Sequence, residues 1–348
     1  MSVLDRKTTI VLLSYNNLEL VRKHLPVILE TTKHRNDVSY VVVDNGGNDD
    51  LEGFMSEIYP GLGFVRIEEN HGFTNGYVQS LAEITSDNYV LISSDIEVEN
   101  GWFDQAVDLL NSADDIAAVQ PKIKSYDKRD EFEYAGAAGG YLDIFGYPFC
   151  RGRLINHVEA DTGQYDNIEE IFWASGACLF IRADVYHELG GLDNDFFAHM
   201  EEIDLCWRIK SRGYRILFQP ESTVYHMGGY VIKYGSPQKI FRNHRNNLIM
   251  LIKNLPASEL IWKLPIRVIL DYAAVLSMLA EGNARGAVVV FKAHWQIISR
   301  WSKWWSKRRK VQKLHRIRHP QGLYPGSLIW EFFVNGVRTF DKLRYKEF

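Results

Sequence analysis

Two carboxylates, Asp95 and Glu97, lie two residues apart and directly follow the apolar run Tyr89-Val90-Leu91-Ile92. A short apolar run that ends in polar residues predicts a buried strand, and it places both carboxylates where that strand stops. Hard oxygen ligands at the end of a strand suit a divalent cation that holds a diphosphate. Because acidic pairs also occur in ordinary loops, the metal hypothesis depends on the rest of the chain.

Polar side chains also follow the other strands predicted in the N-terminal half. Apolar runs at 8–14, 39–43 and 63–67 predict strands, and helices are expected over 18–30 and 72–84. Strands that alternate with helices form right-handed βαβ units around a parallel sheet, and ligands bind beyond the carboxyl ends of its strands. The polar residues at these ends are Ser14, Tyr15, Asn16, Asp44, Asn45 and Asn70. The sequence therefore predicts a nucleotide-binding half-sheet with one ligand site along its edge.

The chain between 102 and 250 continues this pattern with one long interruption. Strands are predicted at 117–119, 176–181 and 215–218, and helices at 102–112 and 184–189. Residues 126–164 are rich in Gly, Tyr and charged side chains without periodicity, and we interpret them as a long insertion. A further helix begins with Glu201 and Glu202, where the positive end of the helix dipole would keep an exposed carboxylate ionised. In the same helix, Asp204 and Arg208 have the i, i+4 spacing of a structural ion pair.

The composition is that of a folded chain in a reducing compartment. With 348 residues, 46% of them hydrophobic and 24% charged, it can bury a large core and is expected to form one large domain plus an appendage, or two domains. The three cysteines have no CxxC spacing, which argues against a disulfide framework or a zinc ribbon. No secretory signal is visible, so a cytoplasmic location is expected. The apolar run 264–280 contains Arg267 and Asp271 and is shorter than the roughly 20 residues of a spanning helix, so we interpret it as a packed or interfacial helix.

The C-terminal part differs in charge from the rest of the chain. The net charge is -4, yet residues 282–330 contain 11 Lys or Arg and no Asp or Glu. Projected at 100° per residue, 286–313 places Phe291, Trp295, Ile298, Trp301 and Trp305 on one face and Lys292, Arg300, Lys303, Lys307 and Lys310 mostly on the other. This pattern is typical of an interfacial helix on an anionic bilayer, and the alternative is a helix that packs its tryptophans on the rest of the protein or on a second subunit. No recognition motif accompanies the charge, so nucleic-acid binding is not expected.

Seven motifs occur together in one order along the chain. They are Ile10–Asn16, Val42–Gly46, Glu69–Phe73, Ser93–Val98, Ser175–Cys178, Gly190–Asp193 and Glu201–Arg208. Their order and spacing resemble those of the family 2 glycosyltransferases, and the match is most similar to the bacterial rhamnosyltransferase-like branch. The resemblance covers residues 8–250 of the 348, and the ordered set is far more specific than any one of its members.

The resemblance implies an α/β fold of the GT-A type, in which helices flank a mixed, Rossmann-like sheet, followed here by a C-terminal helical appendage. The expected domains are a GT-A catalytic domain over 1–250, with a nucleotide-sugar half at 1–120 and an acceptor half at 121–250, and a basic helical region over 251–348. The implied reaction is the inverting transfer of a sugar from a nucleotide-diphosphate donor, UDP- or dTDP-linked, to a glycan or lipid-linked acceptor in cell-surface polysaccharide synthesis. Mg or Mn is the implied cofactor. The expected location is the cytoplasm or the inner face of the plasma membrane, with a homodimer as one option.

The resemblance also assigns roles to individual positions. Asp95 occupies the last acidic position of the metal motif, Glu97 and His226 are candidate further ligands, and Ser93 stands where the common Asp-x-Asp form has its first carboxylate. The implied donor-binding residues are Ser14, Tyr15, Asn16, Asp44, Asn45, Asn70, Gly72 and Ser94, and the implied acceptor-binding residues are Trp173, Ser175 and Gly176. Glu202 is implied as the base that deprotonates the acceptor hydroxyl, with Glu201 as its acceptor-binding partner. The reverse assignment of the two glutamates stays open.

Two other functions stay open on the sequence alone. A sugar-nucleotide pyrophosphorylase has a similar sheet, but its Gly-rich phosphate loop should follow the first strand, where Leu13-Ser14-Tyr15-Asn16-Asn17 has no glycine. The other alternative is a non-catalytic scaffold or carbohydrate-binding protein of the same fold, because Ser93 weakens the metal motif.

Overall fold

The computed structural model describes residues 6–228 and 235–345. The strands in these ranges are β1 (Thr8–Ser14), β2 (Val38–Asn45), β3 (Gly63–Ile67), β4 (Asn88–Ser93), β5 (Ile96–Val98), β6 (Ile116–Ser125), β7 (Gly140–Asp143), β8 (Pro148–Cys150), β9 (Arg153–Leu154), β10 (His157–Val158), β11 (Glu169–Glu170), β12 (Cys178–Arg182), β13 (Arg215–His226) and β14 (Leu323–Tyr324). The α-helices are α1 (Leu18–Thr32), α2 (Leu51–Ile58), α3 (Phe73–Glu83), α4 (Asp104–Asn111), α5 (Ala183–Glu188), α6 (Glu201–Arg212), α7 (Pro237–Asn254), α8 (Ala257–Ala280), α9 (Ala284–Ser299), α10 (Trp301–Leu314) and α11 (Leu328–Phe333). Short 3₁₀ helices lie at Asn194–Phe196 and Phe340–Lys342.

A nine-stranded mixed sheet forms the centre of the fold. Its strand order is β11-β13-β6-β12-β4-β1-β2-β3, and β5 pairs with the far end of β13. Strands β3, β2, β1 and β4 run parallel, whereas β12 runs antiparallel to both β4 and β6. Strands β1 and β4 are buried along nearly their whole length, because apolar clusters cover both faces of the sheet. The predicted mixed sheet flanked by helices is confirmed.

The sheet topology brings the predicted strand-end residues to one edge. Ser14 is in register with Asp44 on β2, and Leu13 is in register with Ser93 on β4. Ile96 of β5 lies opposite His226 at the end of β13. The segment that follows β4 is therefore next to the end of a strand more than a hundred residues later in the chain.

Strand β13 is longer than the sequence predicts. It runs from Arg215 to His226, whereas the apolar pattern ends at 218. Pro220 cannot donate a hydrogen bond to a neighbouring strand, and the register with β6 shifts between Gln219 and Thr223. Because of this irregularity, the apolar pattern in the sequence does not extend over the second half of the strand. His226 is the last residue of this strand and not part of a loop.

Residues 126–164, predicted to be an irregular insertion, contain most of a second sheet. Its strand order is β10-β9-β8-β7-β14. The strands are two to four residues long, which is too short for a period-two pattern to show in the sequence. Strand β14 comes from the C-terminal part of the chain and pairs in parallel with β7.

The C-terminal helices pack directly on the sheet domain. Helix α7 runs without a break across the predicted domain boundary at 250 and contacts α6, α8, α9 and α10. Its buried residues 248–252 belong to the same apolar core as β1 and β4. The end of the chain returns to the insertion, where the backbone N–H of Phe340 donates to Glu159 Oε1 at 3.0 Å. The predicted division at 250 therefore falls inside one helix.

The basic stretch 286–313 forms two helices instead of the single helix predicted. The chain turns at Arg300, which has φ -117° and ψ 26°. Because the turn changes the face on which later residues lie, Trp304 is buried. The predicted apolar face, Phe291, Trp295, Ile298, Trp301 and Trp305, is 40% to 69% exposed. Trp295 is thus mostly exposed, Trp301 and Trp305 are partly exposed, and Trp304 packs on the rest of the protein.

Helix α8 turns its charged side chains inward. Lys263, Arg267 and Asp271 follow each other at i, i+4 spacing and are at most 8% exposed. The apolar residues on the opposite side, Ile261, Ile269 and Leu276, are 66% to 78% exposed. Charged side chains therefore share the buried side of α8 with Leu260 and Val275, while several large apolar residues are exposed. The ring centroids of Tyr272 and Phe291 of α9 are 5.4 Å apart, so the exposed apolar stripes of α8 and α9 adjoin.

Candidate active site

A cavity of about 1020 Å³ opens at the carboxyl edge of the main sheet. Thirteen of the sixteen site residues predicted from the sequence line it, and the three that do not are Asn16, Asp44 and Glu97. The lining comes from strand ends of the main sheet, from the loop before β12, from the start of α6 and from α7 and α8. The sequence therefore predicted most of the residues that meet here, but from one side of the cavity only.

Asp95 and His226 form a charged pair at the sheet edge. His226 Nε2 lies 3.4 Å from Asp95 Oδ2, and its Nδ1 lies 3.4 Å from Glu133 Oε2. Burial favours a neutral Asp95, but His226 holds the pKa of this carboxyl below its usual value. Burial likewise favours a neutral ring, but Asp95 and Glu133 raise the pKa of His226 well above its usual value. A carboxylate behind the ring is how proteins orient a histidine that binds metal.

Asp95 and His226 together fit a divalent cation that takes its other ligands from a diphosphate and water. Within residues 6–228 and 235–345, no three His, Cys, Asp or Glu side chains group so as to hold a metal ion by themselves. The protein thus supplies part of a coordination shell, as expected for a cation that arrives with a phosphorylated ligand.

Glu97, predicted as a metal ligand, does not belong to this pair. Its Oε1 accepts a hydrogen bond from Arg129 Nη2 at 2.6 Å, and it does not line the cavity. The guanidinium of Arg129 also lies over the ring of Tyr225, 4.3 Å from its centroid. Because this cation holds the carboxylate on the outer side of β5, we remove Glu97 from the candidate ligands.

Helix α1 holds the segment that carries Asp95. Asn17 Nδ2 donates to Ser94 Oγ at 3.3 Å, and His24 Nδ1 donates to the Ser94 carbonyl at 2.8 Å. Burial lowers the pKa of His24, which keeps the ring neutral and lets Nδ1 act as the donor. Neither Asn17 nor His24 was proposed from the sequence, because both lie at or inside a helix with no motif of its own.

Buried oxygens at the ends of β1 and β2 indicate a ligand on this side. Among the described residues, Ser14 Oγ, Asp44 Oδ2 and Asn45 Oδ1 are buried without a hydrogen-bond partner. Such atoms are rare in folded proteins and concentrate at binding sites. Asp44 lies beneath the cavity, where Arg66 Nη1 is 3.5 Å from Oδ2 and burial raises the pKa of the carboxyl.

Asn16 stabilises the loops of the donor side from outside. Its Oδ1 accepts from the backbone N–H of Asn48 at 2.6 Å and so ties the loop after β1 to the loop after β2. Asn16 itself has φ 54°, a left-handed conformation that Asn adopts more readily than most residues. Its predicted contact with a donor is not supported by its place outside the cavity lining.

Gly72 is required where the donor-side loop meets the loop before α6. It has φ 104°, and a Cβ at this position would lie 2.4 Å from the carbonyl oxygen of Phe197. Asn70 Oδ1 accepts from the Gly72 N–H at 2.8 Å, and Asn45 Nδ2 donates to the Gly72 carbonyl at 3.3 Å. Only glycine combines this backbone conformation with so close a contact.

The acceptor-side residues line the cavity and are held by the core. Trp173 is 3% exposed, and its Nε1 donates to the Tyr141 carbonyl at 2.9 Å. It is therefore both a buried tryptophan and part of the cavity wall. Gln120 Oε1 accepts from the backbone N–H of Ser175 at 2.9 Å, which positions the turn that continues into Gly176.

Glu201 and Glu202 open α6 with both side chains at the cavity. Burial and the charge of Glu202 raise the pKa of Glu201 well above its ordinary value, and burial raises the pKa of Glu202 to about 7. Oε2 of each is buried without a hydrogen-bond partner among the described residues. A carboxyl that titrates near neutrality can take a proton from a hydroxyl group. Asp204 instead pairs with Arg208 at 3.0 Å and with Lys253 at 2.7 Å, as the structural interpretation predicted.

The loop that leads into Glu201 is strained. Phe197, His199 and Met200 have φ of 68°, 70° and 72°. Non-glycine residues in this region cost of order 1–3 kcal/mol each and persist only where tertiary contacts hold them. His199 also lines the cavity, and burial lowers the pKa of its ring to about 3.

Helix α7 supplies the contacts that hold this loop. The amide nitrogen Nδ2 of the fully buried Asn246 lies 2.9, 2.9 and 2.7 Å from the carbonyl oxygens of Phe196, Ala198 and His199. Arg245 Nη2 donates to the Asp195 and Phe196 carbonyls at 2.7 and 3.0 Å. The position of Glu201 and Glu202 thus depends on a helix that no sequence motif connected with the site.

Residues 6–246 match the family model described as "Glycosyltransferase like family 2", and the chain therefore belongs to this family of glycosyltransferases. An N-acetylglucosaminyl-diphospho-decaprenol L-rhamnosyltransferase of Mycobacterium tuberculosis is 21% identical over 248 residues, which cover 66% of this chain and 78% of that protein. The predicted resemblance to the rhamnosyltransferase-like branch is confirmed. The pyrophosphorylase alternative no longer applies, because the family is one of glycosyltransferases.

Two solved structures share the fold. The mannosyltransferase from Pyrobaculum calidifontis in complex with GDP-Man and Mn²⁺ has a TM-score of 0.51 and 15% identity, over 89% of this chain and 86% of that one. GalNAc-T7 with UDP, GalNAc and Mn²⁺ has a TM-score of 0.52 and 15% identity, over 72% of this chain and 48% of that chain, so this protein matches about half of its length. Both likenesses agree with the GT-A fold.

Proposed function

We propose that this glycosyltransferase inverts the configuration of the sugar it transfers from a nucleotide-diphosphate donor, with Glu202 as the general base. The observation that carries this proposal is the Glu202 carboxyl, whose pKa of about 7 suits proton transfer and which lies in the same cavity as the Asp95 and His226 pair. Inverting transfer needs one base on the face of the sugar opposite the leaving group. Burial and the charge of Glu202 raise the pKa of Glu201 well above its ordinary value, and we assign Glu201 a contact with the acceptor in the same cavity.

The donor binds along the edge of the main sheet. Ser14 and Asn45 offer unpartnered buried oxygens, and Tyr15 lies beside them in the cavity lining. Asp95 and His226 would hold a divalent cation, Mg or Mn, which when bound stabilises the negative charge of the departing diphosphate. Structures of the same fold that contain Mn²⁺ with UDP or GDP-Man support this choice of ligands. We propose UDP- or dTDP-linked sugars as donors.

Glu202, Ser175 and Gly176 have separate roles in the chemical step. The acceptor hydroxyl gives its proton to a carboxylate oxygen of Glu202 as its own oxygen attacks the anomeric carbon. The bond from that carbon to the diphosphate oxygen breaks on the opposite face, and the configuration inverts. Ser175 and Gly176 form the floor next to Glu202, since a Cβ at Gly176 would lie 3.6 Å from Cβ of Glu202.

The acceptor is a glycan or a lipid-linked saccharide used in cell-surface polysaccharide synthesis. Its support is the similarity to an enzyme whose name gives a diphospho-decaprenol acceptor. The exposed apolar residues of α8 and α9 provide a surface for such a carrier. Helix α8 has buried charges and exposed isoleucines, which suits contact with an apolar medium. In the described part of the chain, no helix has the length and apolarity needed to cross a bilayer.

We propose that this surface lies on an anionic bilayer. The exposed apolar residues of α9 and α10 are flanked by the exposed cations Lys292, Arg300, Arg309 and Lys310. Large aromatic side chains next to basic ones are typical of interfacial helices that bind anionic lipid. A second copy of the chain would not require this excess of positive charge. The enzyme thus works at the inner face of the plasma membrane.

A donor screen tests the proposed reaction. UDP-, dTDP- and GDP-sugars are added with Mg²⁺ or Mn²⁺, and the midpoint of thermal unfolding is recorded. A ligand at 100 times its Kd stabilises a protein by about 2.7 kcal/mol, so the correct donor should raise the midpoint clearly. Release of nucleotide diphosphate from that donor should then depend on Glu202 and not on Glu97, compared as Glu202→Gln and Glu97→Gln. If no donor stabilises the protein, the proposed donor site is wrong.

A further inference from the structure

Helices α7 and α8 contribute positively charged side chains to the lining of the cavity. Lys239 and Arg242 on α7 and Arg267 on α8 line it, with His244 between them. The acidic residues that line the cavity within the described ranges are Asp95, Glu201 and Glu202, and none of them belongs to α7 or α8. We refer to Lys239, Arg242, His244 and Arg267 as the α7–α8 wall.

Arg242 has donors to offer a ligand. Its guanidinium carbon lies 4.2 Å from the ring centroid of Phe197, and Arg242 makes no hydrogen bond or ion pair with a described residue. Stacking on a ring uses the face of a guanidinium and leaves the N–H donors in its plane free. Burial lowers the pKa of Arg242, and the carboxylate that opposes this effect is Glu201. Arg242 therefore shares the cavity with the catalytic carboxylates and stacks on the loop that leads to them.

Arg267 and His244 share a single carboxylate. Asp271 Oδ1 lies 2.9 Å from both Arg267 Nη2 and His244 Nδ1, and Asp271 Oδ2 lies 3.0 Å from His294 Nε2. One buried acid thus serves three basic side chains. Arg267 is 3% exposed, and its Nε is buried without a hydrogen-bond partner among the described residues. Asp271 holds Nη2 of Arg267 and Asn247 Oδ1 accepts from its Nη1, so both contacts fix the guanidinium and Nε is left as the donor without a partner.

We propose that the α7–α8 wall is a second anion subsite, which binds the phosphate group through which the acceptor sugar is attached to its carrier. This inference rests on the proposed function. The donor diphosphate is assigned to Asp95 and His226, and Arg242 shares a cavity of about 1020 Å³ with them and with Glu201, which leaves space for a second phosphate group. Planar guanidinium groups bind phosphate oxygens through paired, charge-assisted hydrogen bonds.

The surroundings of the wall suit a lipid carrier on that phosphate. Ile329 of α11 lines the same cavity, and its neighbours Trp330 and Phe333 are 60% and 64% exposed. Arg267 belongs to α8, whose other side presents isoleucines and leucines to the exterior. A chain attached to the bound phosphate would leave the cavity along apolar helices toward the bilayer. The buried charges of α8 and its exposed apolar face thus serve two parts of one ligand.

Binding of farnesyl diphosphate tests the wall directly. The full-length protein is saturated with the nucleotide diphosphate and metal chosen by the donor screen, and farnesyl diphosphate is then titrated by calorimetry. It should bind to this complex, and Arg242→Gln should weaken the binding about tenfold or more, because hydrogen bonds to charged groups are worth about 1.5–3 kcal/mol. Arg242→Lys should recover part of the loss. Lys33→Gln, which removes an exposed charge at the end of α1, should have no effect, and farnesol should bind wild type and Arg242→Gln equally weakly.

Other outcomes would overturn the assignment. If farnesyl diphosphate displaces the nucleotide, or if Arg242→Gln weakens nucleotide binding to the same extent, the wall belongs to the donor site. Vesicles of phosphatidylglycerol without farnesyl diphosphate form a separate arm, and Arg242-dependent binding to them would make a lipid headgroup the ligand instead of the acceptor. Absence of nucleotide binding by the wild type would contradict the proposed function itself. Normal nucleotide binding without farnesyl diphosphate binding would contradict only the subsite.

Discussion

The side-chain amide of Asn246 and the carbonyl oxygen of His199 are 2.7 Å apart, and this contact joins a helix of the C-terminal region to the strained turn before the catalytic carboxylates. Two further carbonyls of the same loop lie 2.9 Å from the same nitrogen. The side chain is fully buried, so no water can replace it. We therefore regard Asn246 as a positioning residue for Glu201 and Glu202.

Asn246→Ala should loosen that loop. It leaves buried carbonyls without a donor, and we expect the free energy of unfolding to fall by about 2–3 kcal/mol. We also expect kcat to fall and its pH dependence to shift toward lower pH, because a more solvated Glu202 has a lower pKa. Asn111→Ala, which removes a buried amide of α4 that accepts from Asn88 at 3.1 Å, is the matched control. If both variants change stability alone, Asn246 does not position the base.

The ionisation of Glu202 should control the rate near neutral pH. Burial raises its pKa to about 7, and only the ionised carboxylate can take the acceptor proton, so kcat should rise with pH and level off above that value. Glu202→Gln should lower kcat about 100-fold or more. The measurement is kcat from pH 5.5 to 9 at saturating donor, acceptor and metal, with the donor Kd followed in parallel. A Glu202→Gln enzyme that keeps near wild-type kcat would assign the base elsewhere.

Asp95 and Glu97 show how far strand-end positions can be predicted. The apolar run before them fixes where the strand stops, and parallel strands must end at a common edge. The position of the candidate metal site could therefore be predicted from the sequence. The different contacts of the two carboxylates could not be predicted in this way. Arg129, which holds Glu97 outside the cavity, lies in a stretch without periodicity, and Glu133, which orients His226, lies in the same stretch. Contacts between segments so far apart leave no local pattern.

For helix α8, the sequence shows the pattern of charged and apolar residues but not which side of the helix is buried. Arg267 and Asp271 interrupt an apolar run in the sequence, which predicts a packed or interfacial helix. In the structure both charges are buried together with Leu260 and Val275, whereas Ile261, Ile269 and Leu276 are exposed. Hydrophobic periodicity locates a stripe on a helix, but it does not tell which side of the helix meets the protein. The α7–α8 wall therefore could not be predicted from the sequence.

Asp95 and Glu97 should respond differently to the same substitution. Asp95→Asn removes a candidate ligand beside His226, and we expect the concentration of Mn²⁺ or Mg²⁺ needed for half-maximal activity to rise about tenfold or more. Glu97→Gln removes a partly exposed ion pair with Arg129 and should leave that concentration unchanged. Metal activation curves with the same donor check both. A loss of metal response in Glu97→Gln but not in Asp95→Asn would reverse our assignment of the site.

Trp295 is 69% exposed on α9 and should carry part of the membrane binding. Burial of a large apolar side chain is worth about 1.5–3 kcal/mol, so Trp295→Glu should weaken binding to vesicles that contain phosphatidylglycerol by about tenfold or more. Added salt should weaken wild-type binding, since cations such as Lys292 contribute to it. Ile58→Glu on α2, where the native side chain is 52% exposed, is the control.

Co-sedimentation with vesicles, with and without the anionic lipid, measures these effects. If the apolar surface is instead an interface between two copies of the chain, analytical ultracentrifugation should show a dimer that Trp295→Glu dissociates, and vesicle binding should be absent. That combination of results would contradict the membrane assignment while leaving the catalytic proposal intact.

Asp193 links the C-terminal helices to the start of the loop that ends at Glu201. It pairs with Lys253 of α7 at 2.7 Å and with Lys307 of α10. Burial alone would raise the pKa of Asp193, but the two lysines hold it well below its usual value. A depressed pKa in the folded state gives stability that is fully present above the unfolded pKa of about 4 and is lost as pH falls below it.

Asp193→Asn should therefore lower the free energy of unfolding by about 1.5–3 kcal/mol at pH 7, because it removes one charged partner from Lys253 and Lys307, which keep Asp204 and Asp195. The difference from wild type should shrink as the pH falls below about 4, where the wild-type carboxylate also begins to lose its advantage. Urea unfolding between pH 7 and 3.5 measures both. Asp184→Asn, whose native carboxylate is 63% exposed and pairs with Arg182, should change stability by less than about 0.5 kcal/mol. A difference for Asp193→Asn that stays constant across this range would mean that the lysines contribute through packing and not through charge.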